Sequence, residues 1–170
     1  MKNILAIFFL MFSVVSCAQS KKLKVYAYQQ QVLPGVKAST IDESGLTKEI
    51  PNKIPPRNFI YIEAPKGKDI QPKHIWINGK LFGLRTSVPQ LPVVMYNSMI
   101  PSKKADTLVG FTDKAVMQLE PIADSVQFKP STAAKKKLTT HQVVLHTLEN
   151  GKNCYYYLEQ IKILDPVALQ

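Results

Sequence analysis

Little in this chain announces chemistry. Its 170 residues contain two cysteines, Cys17 and Cys154, so no cysteine pair stands at zinc-ligand spacing and no disulfide framework is present. The twelve acids are scattered, and only Asp42 and Glu43 are adjacent. A hydrolytic carboxylate pair is therefore not written locally, although folding can bring distant acids together. There is no glycine-rich phosphate loop, no HExxH pair and no nucleophile elbow. The histidines are His74, His141 and His146. Positions 141 and 146 would point to opposite faces of one regular strand and could not share a metal there. No cofactor, no metal site and no enzymatic activity are expected. Internal repeats and long helical periodicity are also absent.

What is present begins at the N-terminus. Lys2 precedes an apolar stretch from Ile4 to Val15, followed by Ser16 and Cys17. A positive start, a short apolar core and a small-residue end describe a secretory signal. As a helix the core would span about 18 Å, short of the roughly 30 Å hydrocarbon layer, so removal is expected rather than retention as a span. The motif Val14-Val15-Ser16-Cys17 resembles the lipobox of bacterial lipoproteins. That resemblance implies a diacylglyceryl group on Cys17, cleavage before it, and acylation of the new N-terminus by palmitate-class chains. Ala18-Gln19-Ser20-Lys21-Lys22 contains no acid. It resembles neither the Asp signal for inner-membrane retention nor the acidic cluster of surface-exported lipoproteins of the Bacteroidota. The short signal ending in Ser-Cys looks like that phylum, and the implied address is the outer membrane, facing the periplasm. With lipid on Cys17, Cys154 would have no partner, and the core would hold the fold without a disulfide. In this reading residues 1–16 are a helical signal peptide, 17–22 a lipidated tether, and 23–170 one domain. Lys21, Lys22 and Lys24 are the candidates for touching lipid head groups.

Removing residues 1–16 leaves 154 residues with 21 bases and 12 acids, a net charge of +9. That length supports one real core. The positive balance suits an anionic lipid surface, lipopolysaccharide phosphates or an acidic partner. Nucleic acid is disfavoured by the export signal. Twelve prolines punctuate short runs rich in Val, Ile, Tyr and Phe, as strands do. Ten candidate strands emerge: Leu23–Tyr28, Asn58–Ala64, Lys73–Ile77, Lys80–Thr86, Pro92–Tyr96, Thr107–Phe111, Ala115–Glu120, Ser125–Lys129, His141–Leu148 and Lys152–Leu164. The expected fold is all-β, an immunoglobulin-like sandwich or a small barrel of roughly 7–10 short strands. Residues 34–56 and 129–140 read as loops, with a short helix over Ala133–Leu138 as the alternative within the second.

Two hairpins follow from turn chemistry. Asn78-Gly79 and Asn150-Gly151 suit type I′ turns, which need positive φ at both central residues. The first register pairs Ile77 with Lys80 and Ile75 with Phe82. The second pairs Glu149 with Lys152, His146 with Tyr155 and Val144 with Tyr157. Val143, Leu145, Cys154, Tyr156 and Leu158 then share one face. Val144, His146, Leu148, Tyr155 and Tyr157 share the other, and a one-residue slip would exchange the two. A β-bulge near Glu159-Gln160 is expected where the apolar phase shifts. Tyr155, Tyr157, His146 and Trp76 form the candidate partner-binding patch if their face is open.

These features suggest a non-enzymatic accessory lipoprotein that docks onto an outer-membrane protein complex, such as a barrel, secretion or uptake assembly. The alternatives are a module binding glycan or lipopolysaccharide and, third, an envelope hydrolase.

Overall fold

The computed structural model describes residues 23–34, 39–41, 44, 47–49, 54–96, 104–123 and 128–168. Residues 1–22, with Cys17, Lys21 and Lys22, lie outside them. The described elements run β1 (Lys24–Leu33), β2 (Ser39–Ile41), β3 (Thr47–Glu49), β4 (Arg57–Ala64), β5 (Ile70–Ile77), β6 (Lys80–Ser87), β7 (Val93–Met95), β8 (Asp106–Val109), β9 (Ala115–Ile122), α1 (Thr132–Leu138), β10 (Val143–Glu149), β11 (Lys152–Leu158) and β12 (Lys162–Ala168). The domain is all-β, in keeping with its sequence pattern. Its main strands lie in one eight-stranded sheet of order β11-β10-β5-β6-β9-β4-β1-β12, curled into a half-barrel. Neighbours are antiparallel except β1 and β12, which run parallel.

The curl follows from one short connection. β11 and β12 are the two edges of the sheet, yet only Glu159, Gln160 and Ile161 separate them in the chain. Seven spacings of about 4.8 Å would hold the edges of a flat sheet roughly 34 Å apart. Leu158 and Lys162 can be no more than about 14 Å apart along an extended chain. The sheet must therefore bend until its edges approach. Gln142 fixes the corner: its N–H donates to the Glu159 carbonyl (3.3 Å), and its Oε1 accepts from the Ile161 N–H (2.7 Å). The bulged strand expected over Lys152–Leu164 is thus two strands meeting at a corner, because the second half pairs with β1 instead of β10.

Both hairpin registers are as the turn residues dictate. Asn78 and Asn150 have φ of 49° and 48°, and Gly79 and Gly151 have 78° and 76°. The inner face collects Ile60, Ile62, Ile75, Leu119, Val143, Leu145, Cys154 and Tyr156, with Phe82 and Leu84 packed against them. Full burial of each large aliphatic side chain contributes about 1.5–3 kcal/mol. The outer face is covered in two places. The β7–β8 hairpin closes a second cluster of Tyr28, Tyr61, Leu108, Val109, Val116 and Leu164. Elsewhere α1 lies against β10 with Ala134 fully buried. Ser131 caps α1 by accepting the Ala134 N–H at 3.2 Å. The helical reading of 133–138 therefore replaces most of the second loop.

Other differences are local. The β2–β3 ladder interrupts the loop expected over 34–56. Of the strand expected over Ser125–Lys129, residues 125–127 lie outside the described ones, and Phe128 and Lys129 are not in a strand. Cys154 is not the lone thiol expected: it is disulfide-bonded in the structure.

Thr147 faces inward opposite Cys154, fully buried, and among the described residues its hydroxyl has no hydrogen-bond partner. An unsatisfied buried hydroxyl is costly. Thr147→Val keeps the shape and removes the polar atom, so a stability gain of about 1 kcal/mol is expected in urea unfolding. A loss of stability would mean the hydroxyl is satisfied.

Candidate functional site

Strand pairing brings His74 and His146 together. They are direct cross-strand partners between β5 and β10, on the outer face. Just beyond them the ladder slips: Thr147 pairs with Pro72, leaving Lys73 as the extra residue of a bulge. Proline offers no N–H to the ladder, which is why the irregularity falls there. The two Nδ1 atoms are 3.3 Å apart. His146 Nε2 lies 2.8 Å from Asn153 Oδ1 and donates to it, so its Nδ1 is an acceptor and His74 Nδ1 supplies the proton. Phe128 stacks on both rings, with centroids 4.5 Å from His74 and 5.0 Å from His146. Tyr155 stacks on the His146 ring at 4.9 Å, and Trp76 meets Phe128 at 5.8 Å.

Of the sequence-derived patch, Trp76, His146 and Tyr155 meet in this stack, and Tyr157 has other ring neighbours. Trp76 and His146 are only 4% and 3% exposed beneath this stack. Tyr155 and Tyr157 are half-buried. Tyr157 is flanked by His141, with ring centroids 5.4 Å apart, and by Lys137, whose Nζ is 5.9 Å from the ring centroid. Tyr156, the middle residue of the triplet, belongs to the core. Phe128 stacks over part of this patch, and Lys137 of α1 lies over the Tyr157 ring. Lys24, the one described member of the basic trio, is exposed at the start of β1.

Two buried glutamates have side-chain partners that the sequence did not reveal, which for Glu149 gave only its cross-strand position opposite Lys152. On the outer face, Glu63 accepts from Tyr26 Oη (2.5 Å) and pairs with Lys114 Nζ (2.8 Å). Lys114 and then Tyr26 hold its carboxyl below the usual range. Burial and the Glu63 contact push the Tyr26 phenol up to about 12. Facing inward at the end of β10, Glu149 accepts from the Tyr156 hydroxyl and pairs with Lys68 Nζ at 2.5 Å. Burial, then Glu149, pushes the Tyr156 phenol up. In each trio the carboxylate is occupied by a cation and a phenol, an arrangement suited to holding strands together. No group of three or more His, Cys, Asp or Glu side chains among the described residues could hold a metal.

An accessible concave surface lies elsewhere, at one end of the half-barrel. A cleft of about 810 Å³ opens beside the Asn78-Gly79 turn. Ile77, Phe82 and Leu119 form its apolar floor. Arg57, Lys80 and Glu120 stand exposed around it. Gln29 and Asn58 line one wall and are joined by a 3.0 Å amide hydrogen bond. Lys80 Nζ lies 5.4 Å from the Phe82 ring centroid. Glu120 is offset by Arg85 at 3.5 Å, a largely exposed pair worth little in stability. The remaining rim charges, Arg57 and Lys80, are both positive. Floor residues such as Phe82 and Leu119 read in sequence as ordinary strand positions, so no local signal marked the cleft. No protein-family model, no curated protein and no solved structure matches this chain.

Proposed function

We propose that the protein is a lipid-anchored, non-enzymatic lipoprotein of the outer membrane, facing the periplasm, and that it serves as an interaction subunit of an outer-membrane protein complex. Cys17 carries the lipid, and the domain presents the mouth of the half-barrel to its partner. The observation that carries this reading is the cleft itself. It joins an apolar floor to amide and cationic rim groups, the mixture that protein recognition sites use.

The test is recovery of the native particle from membranes in mild detergent, with crosslinkers placed at Arg57 or Lys80 on the cleft rim. A discrete protein adduct at these positions, absent when the crosslinker sits on the exposed Lys152 at the far hairpin, is the expected result. A monomer without adducts at any position would end the interaction reading. The positive rim favours a second reading, capture of an anionic glycan or lipopolysaccharide phosphate. Retention on immobilised lipopolysaccharide that Arg57→Glu and Lys80→Glu abolish would support it.

A further inference from the structure

The arrangement of His74, His146 and Phe128 has a feature that ring stacking alone does not explain. The two imidazole planes are within 5° of parallel, with centroids 5.6 Å apart and Nδ1 atoms 3.3 Å apart. Those separations differ by about two ring radii. The rings therefore lie edge to edge, with their Nδ1 atoms aimed at one another along one line. The similar distances from Phe128 to both rings seat it over this junction, roughly midway. Such a line has room for one proton. A second would set two N–H groups head to head at 3.3 Å, under an aromatic cap.

We propose that His74, His146 and Phe128 form a one-proton lock: the shared proton holds the outer face of β5, β10 and β11 closed under Phe128, and charging both imidazoles opens it. Among the described residues, no carboxylate is one of the charges acting on His74. On β5 the nearest charge is Lys73, beside His74. On β11 the neighbours are Tyr155, which is stacked on the cluster, and Lys152 at the turn. Lys129 follows Phe128, and α1 contributes Lys135, Lys136 and Lys137. His141 lies against Tyr157, toward the other end of β10. Glu149 on β10 faces inward and is taken up by Lys68 and Tyr156. Burial, then His146 and Lys73, holds His74 below the usual imidazole range. A histidine whose folded value is depressed stabilises the fold fully above its unfolded value. Its contribution is lost as pH falls below about 6.5.

Trp76 is the only tryptophan in the chain and touches Phe128, so it reports on the cap directly. In the intact protein its emission should shift to longer wavelength as pH falls from about 6.5 towards 4.5, before most carboxylates titrate. The far-ultraviolet β signal should persist through this shift. His74→Asn retains a donor towards His146 but cannot take the extra charge, and should abolish the shift. Phe128→Leu should give the long-wavelength emission already at neutral pH. Should His74→Asn not fold, the imidazole nitrogen resonances of the wild type decide the matter. The His74 and His146 nitrogens must then change protonation together with the Trp76 shift. Emission that stays constant to pH 4.5, a shift that survives in folded His74→Asn, or one that coincides with loss of the β signal overturns the lock.

Discussion

Replacing Cys17 with serine is expected to take the protein off the outer membrane entirely. The variant should incorporate no acyl label and retain residues 1–16, so it migrates as the uncleaved precursor. The magnitude is set by lipid physics. Each buried CH₂ contributes about 0.8 kcal/mol, yet one chain alone binds only marginally, at about 10⁴ M⁻¹, so stable anchoring needs the two or three chains that this cysteine would carry. None of the described helices is long and apolar enough to cross a membrane in their place. The intact mass of the wild-type protein adds a second readout. Cys17 cannot be both thioether-linked to lipid and disulfide-bonded, and the chain has only one other cysteine, at 154. A mature mass carrying diacylglyceryl assigns Cys17 to the membrane. A mass two hydrogens below the unlipidated chain, restored on reduction, assigns it to the disulfide and removes the anchor.

The parts of this domain that its sequence discloses are the parts governed by near neighbours. Asn78-Gly79 and Asn150-Gly151 dictate positive-φ turns, the turns set the registers, and the registers sort Val143, Leu145, Cys154 and Tyr156 inward without further information. The same locality explains the misreadings. Lys152–Leu164 reads as one strand because nothing within it tells that Lys162 onwards pairs with β1, 135 or so residues away. His74 and His146 lie on hairpins legible separately, but their meeting depends on β5 pairing with β10 across 72 positions. Phe128, from a segment read as a strand, instead caps that pair. The cleft assembles from β1, β4, β5, β6 and β9, so no single stretch could reveal it. Glu63 and Glu149 sit on strands where an alternating pattern expects a polar or apolar residue, and pattern says nothing of the lysine and tyrosine that meet them.

Glu149 supplies the second large effect, and one aimed at folding rather than location. The carboxylate is 6% exposed at the end of β10, with Tyr156 and Lys68 as its partners. Glu149→Ala strands a phenol deep in the inner core and removes the carboxylate that pairs with the Lys68 ammonium, which is 20% exposed. Removing one partner of a buried pair costs about 3–5 kcal/mol, because the other stays behind. For a domain of this size that is a fall in Tm on the order of 10 °C. Glu149→Gln keeps an acceptor for the Tyr156 hydroxyl and should cost less. Tyr156→Phe removes only the phenol oxygen, so about 1–2 kcal/mol is expected. The Glu149→Ala, Tyr156→Phe double variant then separates the trio from simple loss of burial. Contacting groups couple by 0.5–3 kcal/mol, whereas independent ones add. Additive losses would mean that the phenol and the carboxylate do not act together. The matching Glu63→Ala change should be milder, since its lysine partner is 36% exposed and water can take over. Equal losses at the two glutamates would show that solvent access at Lys114 does not soften the cost. The contrast between the trios thus measures how far the half-barrel relies on its inner face rather than on the strands outside it.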